Sequence, residues 1–391
     1  MTFLNLPEET GNNQPTGRKT GVIMAVLLFL AVISVAFFTY LSSQNIDIRT
    51  VSLGQLSAGI RDGQVKNSET LYDIPFDPRE HPAFSVYRDC LVKYSKDGIR
   101  LLDKKGAEVL TETMPLNKPL ARTNGKELLI ADIGGQDVYV LNEDGIIWKD
   151  KLDVSIINAD ISREGFVTIV TSSKRYNGEV RVYDTHGIEL FRSIIASNFA
   201  VSAKISPSSG QMAVDSINTT GIKASTSIRF YDMNSVDLGE KNLEASDSIF
   251  SSIFYSDTDE LFAVGDKSII GFDKDRNIEW EKKFEGISSA CLTSGKRLAA
   301  VVDVDSGTKL AVYSPTGKEL AACPVDGSIR NVNAGGGVIA VSTLRDIFFF
   351  NEKCRNIGKY TSKSDITDVY FFSRQQAAVV TKNQVSIIGI G

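Results

Sequence analysis

From about residue 69 onward, apolar residues come in short runs separated by polar, glycine-bearing breaks, and almost no stretch keeps the spacing of an amphipathic helix. Runs such as "RLAAVV", "FVTIVT" and "AAVVT" are apolar at consecutive positions, the pattern of a strand covered on both faces. One break recurs: two apolar residues, then Asp, Asn or Ser, then two polar positions, then usually Gly. Its instances are "LLDKKG" (from Leu101), "VLNEDG" (from Val140), "VYDTHG" (from Val182), "FYDMNS" (from Phe230), "GFDKDR" (from Gly271), "VYSPTG" (from Val312) and "FFNEKC" (from Phe349). The turn residues Asp103, Asn142, Asp184, Asp232, Asp273, Ser314 and Asn351 are spaced by 39, 42, 48, 41, 41 and 37. A period of that size marks a repeat architecture.

The hexad is hairpin chemistry. Asp, Asn or Ser at the first turn position can bond the backbone two residues on, Pro315 suits the second position, and Gly at the fourth accepts a left-handed backbone. Each period holds three further strand-like runs. In the second unit the four are "PLARTNG", "ELLIADI", "DVYVLNEDG" and "IIWKDKLD". Four short strands per period near 40 predict the blade of a β-propeller, whereas the alternative of one or two β-sandwiches predicts no fixed period of four. An eighth unit starts near Ile366 with only three strands before Gly391. Upstream, "ETLYDIPFDPREHPAF" (from Glu69) matches in register "EVLTETMPLNKPLA" (from Glu108), which makes residues 69–76 the candidate missing strand, pairing with the C-terminal blade 366–391. The expected fold of residues 69–391 is therefore all-β, an eight-bladed β-propeller, or a seven-bladed one if an end unit is irregular.

The N-terminal region has a different pattern. Residues 21–41, "GVIMAVLLFLAVISVAFFTYL", carry no charge, and as a helix would run about 31 Å, close to the hydrocarbon thickness of a bilayer. The run is longer than the core of a cleaved signal peptide and ends in aromatics, so it reads as a retained transmembrane signal anchor. Arg18 and Lys19 precede it, while the 20 residues after it hold only Asp47, Arg49 and Arg61 as charges. The positive-inside bias puts residues 1–20 in the cytoplasm and everything beyond the span outside. The tail is polar and too short to fold, and its "LPEETG" is a coincidental likeness to a C-terminal sorting signal. Residues 42–68 form a polar stem, in which "VSLGQLSAGI" suits a short helix. The expectation is a single-pass cell-membrane protein with an extracytoplasmic C-terminal domain.

Composition narrows the function classes. The net charge of -5 with interspersed signs offers no nucleic-acid footprint. Cys90, Cys291, Cys323 and Cys354 have no paired spacing for zinc; of the conceivable disulfides, Cys323 with Cys354 comes first, because these lie in adjacent units. His81 precedes a proline in a linker. His186 sits inside a hairpin turn, at a position filled elsewhere by Lys105, Asp144, Asn234, Asp275, Thr316 and Lys353, a variety that catalysis would not tolerate. "DVDSG" (from Asp303) and "DKDRN" (from Asp273) lack the glycine and the terminal carboxylate of a calcium loop, and turn chemistry accounts for both. No catalytic residue, metal ligand or cofactor is assigned.

The surplus length of units three and four falls between their second and third strands, in "TSSKRYNGE" (Thr171 to Glu179) and "DSINTTGIKASTS" (Asp215 to Ser227). In a propeller those loops share a face with the blade-to-blade connections. Lys174, Arg175, Tyr176, Asn218 and Lys223 are thus expected to form a locally basic rim for an envelope protein or an anionic polymer; the plainer reading is two tolerated surface insertions.

The hexad followed by a tryptophan, as in "LNEDGIIW" (Leu141 to Trp148) and "FDKDRNIEW" (Phe272 to Trp280), resembles quinoprotein-type and WD-repeat propellers over residues 69–391. The tail, span and propeller together resemble an uncharacterised family of single-span, membrane-anchored propeller proteins of Gram-positive anaerobes. The resemblance implies fold only, since most repeats lack the Trp and no calcium site or catalytic aspartate of a quinone-using dehydrogenase is matched. The expected function is a membrane-tethered binding or scaffolding module. The alternative is a propeller enzyme, a hydrolase or oxidoreductase with carboxylates at the central channel.

Overall fold

The computed structural model describes residues 67–243 and 248–391. The tail, the apolar segment 21–41 and nearly all of the stem lie outside the described residues, among which no helix is long and apolar enough to cross a membrane. The described chain folds into eight four-stranded antiparallel sheets, the blades of a β-propeller. Numbering blades from the N-terminus, the inner strands are Ala83–Tyr87, Pro119–Thr123, Ile156–Ile161, Phe199–Ile205, Phe250–Tyr255, Gly286–Leu292, Asn331–Gly335 and Ile366–Ser373. The outer strands are Glu108–Thr113, Gly145–Lys151, Glu189–Ile195, Asp237–Asn242, Ile278–Lys283, Glu319–Pro324, Asn356–Thr361 and, for blade 8, Glu69–Pro75. That last strand pairs with Gln384–Gly389, from Glu69 against Gly389 to Pro75 against Gln384, so the two ends of the described chain meet in one blade.

The hexads are the predicted turns. The Asp184 carboxylate accepts the backbone N–H groups of His186 (2.9 Å) and Ile188 (2.8 Å), and Asp103 accepts those of Lys105 and Ala107. These bonds favour the ionised form and hold both carboxyls below the usual carboxylate range. The neutral Asn351 and Ser314 do the same for Lys353 and Lys318. "VLNEDG" departs from its siblings: Asn142 pairs directly with Gly145 in a tighter two-residue turn.

The consecutive apolar runs are the second strands. Those of blades 2, 3, 5 and 7 (Leu128–Asp132, Val167–Thr171, Leu261–Gly265, Val338–Ser342) are buried at every residue, because a neighbouring blade covers each face. One core cluster, for example, joins Leu129 and Val138 of blade 2 to Ile156, Val167 and Tyr183 of blade 3. The two tryptophans wedge such seams. Trp148 of blade 2 stacks on Tyr183 (centroids 5.7 Å apart), and a Cβ on Gly187 would come within 2.7 Å of its indole. Trp280 of blade 5 does the same at Gly317, where a Cβ would fall 2.5 Å away, and donates Nε1–H to the Pro315 carbonyl (2.7 Å). Glycine at these two positions provides both the left-handed backbone and the space for a ring.

Candidate functional site: the channel and the two faces of the ring

The inner strands adjoin round the axis and bond across the seams. Asn158 donates to the Val201 carbonyl (3.0 Å) and Asn333 to the Val369 carbonyl (2.7 Å). Ser289 donates to Asn331 Oδ1 (3.2 Å), whose Nδ2 donates to Asp368 (3.3 Å). Burial raises the Asp368 carboxyl above its ordinary range, and the Asn331 bond opposes that. A cleft of about 290 Å³ in this wall is lined by Ser85, Arg122, Asn333 and Tyr370, among others, from blades 1, 2, 7 and 8.

Alternating strand direction gives the ring two unlike faces. One carries the turns between first and second strands together with the hexads. There a cleft of about 480 Å³ spans blades 2 to 6 and includes Asp160, Arg163, Lys204, Asp257 and Lys296. Its carboxylates face cations: Lys204 Nζ lies 2.9 Å from Asp160, and Arg163 lies 3.9 Å from Asp257. These ion pairs give this mouth the character of a charge-matched lining. Among the described residues, no three His, Cys, Asp or Glu side chains converge on a point that could hold a metal ion.

The other face carries the blade connections and the turns between second and third strands. Blades 3 and 4 each have six-residue loops here (172–177 and 219–224), while every other blade has two to four residues. Around these loops several large apolar side chains are exposed: Ile157 and Phe199 at the starts of inner strands, Ile194 near the end of an outer strand, and Tyr176 and Ile222 in the loops themselves. All five lie at the same end of two adjacent blades.

Residues 65–390 match the Family of unknown function (DUF5711). The chain belongs to that family. No curated protein matches it in sequence. Among solved structures, the DUF5711 propeller is similar to BamB from Moraxella catarrhalis, at 12% identity over 83% of this chain and 100% of that one, with a TM-score of 0.55. It is also similar to Saccharomyces cerevisiae Sqt1, at 10% identity over 83% of this chain and 99% of that one, TM-score 0.62. The C-terminal WD40 domain of Sif2 aligns at 12% identity over 84% of this chain and 100% of the other, TM-score 0.61. At these identities the likeness shows the fold alone.

The sequence-derived rim residues of the DUF5711 chain fall on the long-loop face. Lys174, Arg175 and Tyr176 lie in the blade 3 loop, where the Arg175 N–H is held by Ser173 Oγ (3.4 Å). Asn218 ends the second strand of blade 4, and its side-chain carbonyl accepts the N–H (2.9 Å) and hydroxyl (2.7 Å) of Thr220, so that oxygen is occupied by its own turn. Lys223 lies in the loop that follows. The topology sets the two groups on neighbouring blades. The histidines are backbone elements: His81 takes a left-handed φ of 46° closing the short 3-10 turn Pro78–Glu80, and His186 is largely exposed in its hairpin.

One residue escaped sequence reasoning. Asp215, on the second strand of blade 4 (Gln211–Asn218), is fully buried, and neither carboxyl oxygen has a hydrogen-bond partner. Desolvation pushes its pKa up to about 7. Its signal becomes visible only when repeats are stacked in register: the equivalent positions hold Tyr94, Ala131, Val170, Val264, Val301, Ser342 and Val380. A carboxylate stands alone in that column.

Proposed function

We propose that this DUF5711 protein is a membrane-tethered, extracytoplasmic docking module that holds a protein partner of the cell envelope on the long-loop face of blades 3 and 4. The observation that carries the reading is the exposed group Ile157, Tyr176, Ile194, Phe199 and Ile222 flanked by Lys174 and Arg175. An apolar centre with a charged rim is the anatomy of a protein interface, and it favours a protein over an anionic polymer, which would be met by cations alone. A segment with an apolar core and acidic flanks complements it. The tether reading rests on the uncharged segment 21–41 and the Arg18 and Lys19 before it.

The test is capture of envelope proteins by the soluble domain, residues 42–391, compared with a Phe199→Glu/Ile222→Glu variant and a Lys174→Glu/Arg175→Glu variant. The expected result is a partner retained by the native domain and weakened at least tenfold by each pair. Undiminished capture by both variants would rule out this face. Protease treatment of intact cells checks the topology, the expected outcome being digestion beyond residue 42 with the N-terminal tail protected.

A further inference from the structure

We propose that Cys323 and Cys354 form a disulfide that fastens blade 6 to blade 7 whenever the protein meets an oxidising disulfide. Cys323 lies on the outer strand of blade 6 opposite Leu310, four residues before the turn residue Ser314. Cys354 is the fourth residue of the blade 7 hexad, three beyond Asn351. The seam that closes the ring has the same two positions, filled by Ile74 opposite Val385 and by Gly106 three beyond Asp103. A Cβ placed on Gly106 would lie 3.3 Å from the Ile74 side chain. At that seam the side chain of the first position meets the Cβ of the second, and at the seams after blades 2 and 5 an outer-strand tryptophan two positions away fills the same space. A disulfide needs that approach, with Cβ atoms roughly 3.5–4.5 Å apart.

At the blade 6–7 seam the contact exists. Both cysteines pack in one cluster with Leu310, Val325 and Phe350, and the Cys354 thiol points at the Leu310 carbonyl (Sγ to O 3.9 Å). The thiols of Cys323 and Cys354 hydrogen-bond, which holds Cys354 below the ordinary cysteine range and favours the thiolate that attacks a disulfide. Cys354 also takes a left-handed φ of 54° where sibling turns have Gly106, Gly187 and Gly317. Of the other two thiols, Cys90 is in blade 1, and Cys291 packs against the same cluster from the inner strand of blade 6, where burial pushes its pKa up to about 12 and disfavours its thiolate.

The step balances with a low-molecular-weight or protein disulfide as oxidant. The half-buried Cys323, losing its proton to solvent, attacks one sulfur of that oxidant and expels a thiolate. The buried Cys354 thiolate then attacks Sγ of Cys323 and expels the second, so two protein thiols are oxidised as one external disulfide is reduced to two thiols.

The experiment uses the purified full chain, first reduced, then equilibrated with oxidised glutathione, alkylated and digested without reduction for mass mapping. The expected result is a Cys323 peptide linked to a Cys354 peptide, with Cys90 and Cys291 alkylated. Free thiols at 323 and 354, stable glutathione adducts there, or links to Cys90 or Cys291 overturn the proposal. A Cys323→Ile/Cys354→Gly variant imports the pair used at the closing seam and so tests the fastening in a folded protein. The Tm of the oxidised native chain should fall by about 5 °C in reductant, as expected for opening a loop of roughly 30 residues in a domain this size, while that of the variant should not move. An oxidised native chain whose Tm ignores reductant overturns the fastening. Because the oxidant is supplied, neither result depends on where the protein resides or what it binds.

Discussion

Replacing Asp215 by Asn isolates the one buried carboxyl among the described residues that the fold leaves without a hydrogen-bond partner. With a native pKa of about 7 against 3.8 for the free carboxyl, the folded state binds more protons than the unfolded chain throughout that interval. Stability contributed by the protonated form is therefore complete below about pH 4, falls as pH rises, and is gone above about pH 7. The full span is worth about 4 kcal/mol at 1.36 kcal/mol per unit, of which about 3 kcal/mol falls between pH 5 and pH 8. For a domain of this size that corresponds to about 4 °C in Tm. Thermal melts of native and Asp215→Asn protein at both pH values cancel every other titrating group in the double difference. The native chain should lose about 4 °C relative to the variant on going from pH 5 to pH 8. Parallel shifts in the two proteins would refute the reasoning, because they would mean that the carboxylate finds a partner that keeps it ionised inside the seam.

Other consequences can be checked in the same way. Asp184→Ala removes the acceptor of two backbone N–H groups and should cost about 1 kcal/mol in denaturant unfolding, while His186→Ala should cost less than about 0.5 kcal/mol. Trp280→Ala should destabilise by about 3–5 kcal/mol. Gly317→Ala, strained by its backbone and by the indole, should also destabilise, and the double variant should be less damaged than the sum because removing the ring vacates the space that the new Cβ invades. Deleting residues 1–75 removes the outer strand of blade 8 and leaves Gln384–Gly389 as an unpaired edge, so such a chain should aggregate during refolding when assayed by light scattering, whereas one starting at residue 65 should not.

The blade count was legible because each hexad writes its own structure locally. Asp103 or Asp184 needs only the next four residues to make its turn, and a second strand such as Val338–Ser342 shows its double burial as an unbroken apolar run. The chemistry of the ring was not legible for the opposite reason. Asn331 meets Asp368, and Lys204 meets Asp160, about one repeat away, so each partner is set by the superposition of units and no local window contains both. Asp215 sits between these cases. Its neighbours in sequence are unremarkable for a strand, yet the aligned column, mostly of valines, makes a carboxylate there an exception.

The two faces of the ring also divide the freedom to vary. On the hexad face, side-chain oxygens close most turns on their own backbone, which leaves little length or composition to change without losing the bond. Turns between second and third strands share no repeated motif, although Ser173 and Asn218 bond their own loop backbone, and there the loops range from two residues to six. A partner-specific surface has to be built where neighbouring units differ, and in the described chain the difference is concentrated on blades 3 and 4. The exposed Phe199 and Ile222 lie on that side, while the ion-paired mouth lies on the other. If recognition used the charge-matched mouth instead, removing the Lys204 and Asp160 charges together should abolish capture and the loop-face variants should not. That contrast assigns the binding face whatever the partner proves to be.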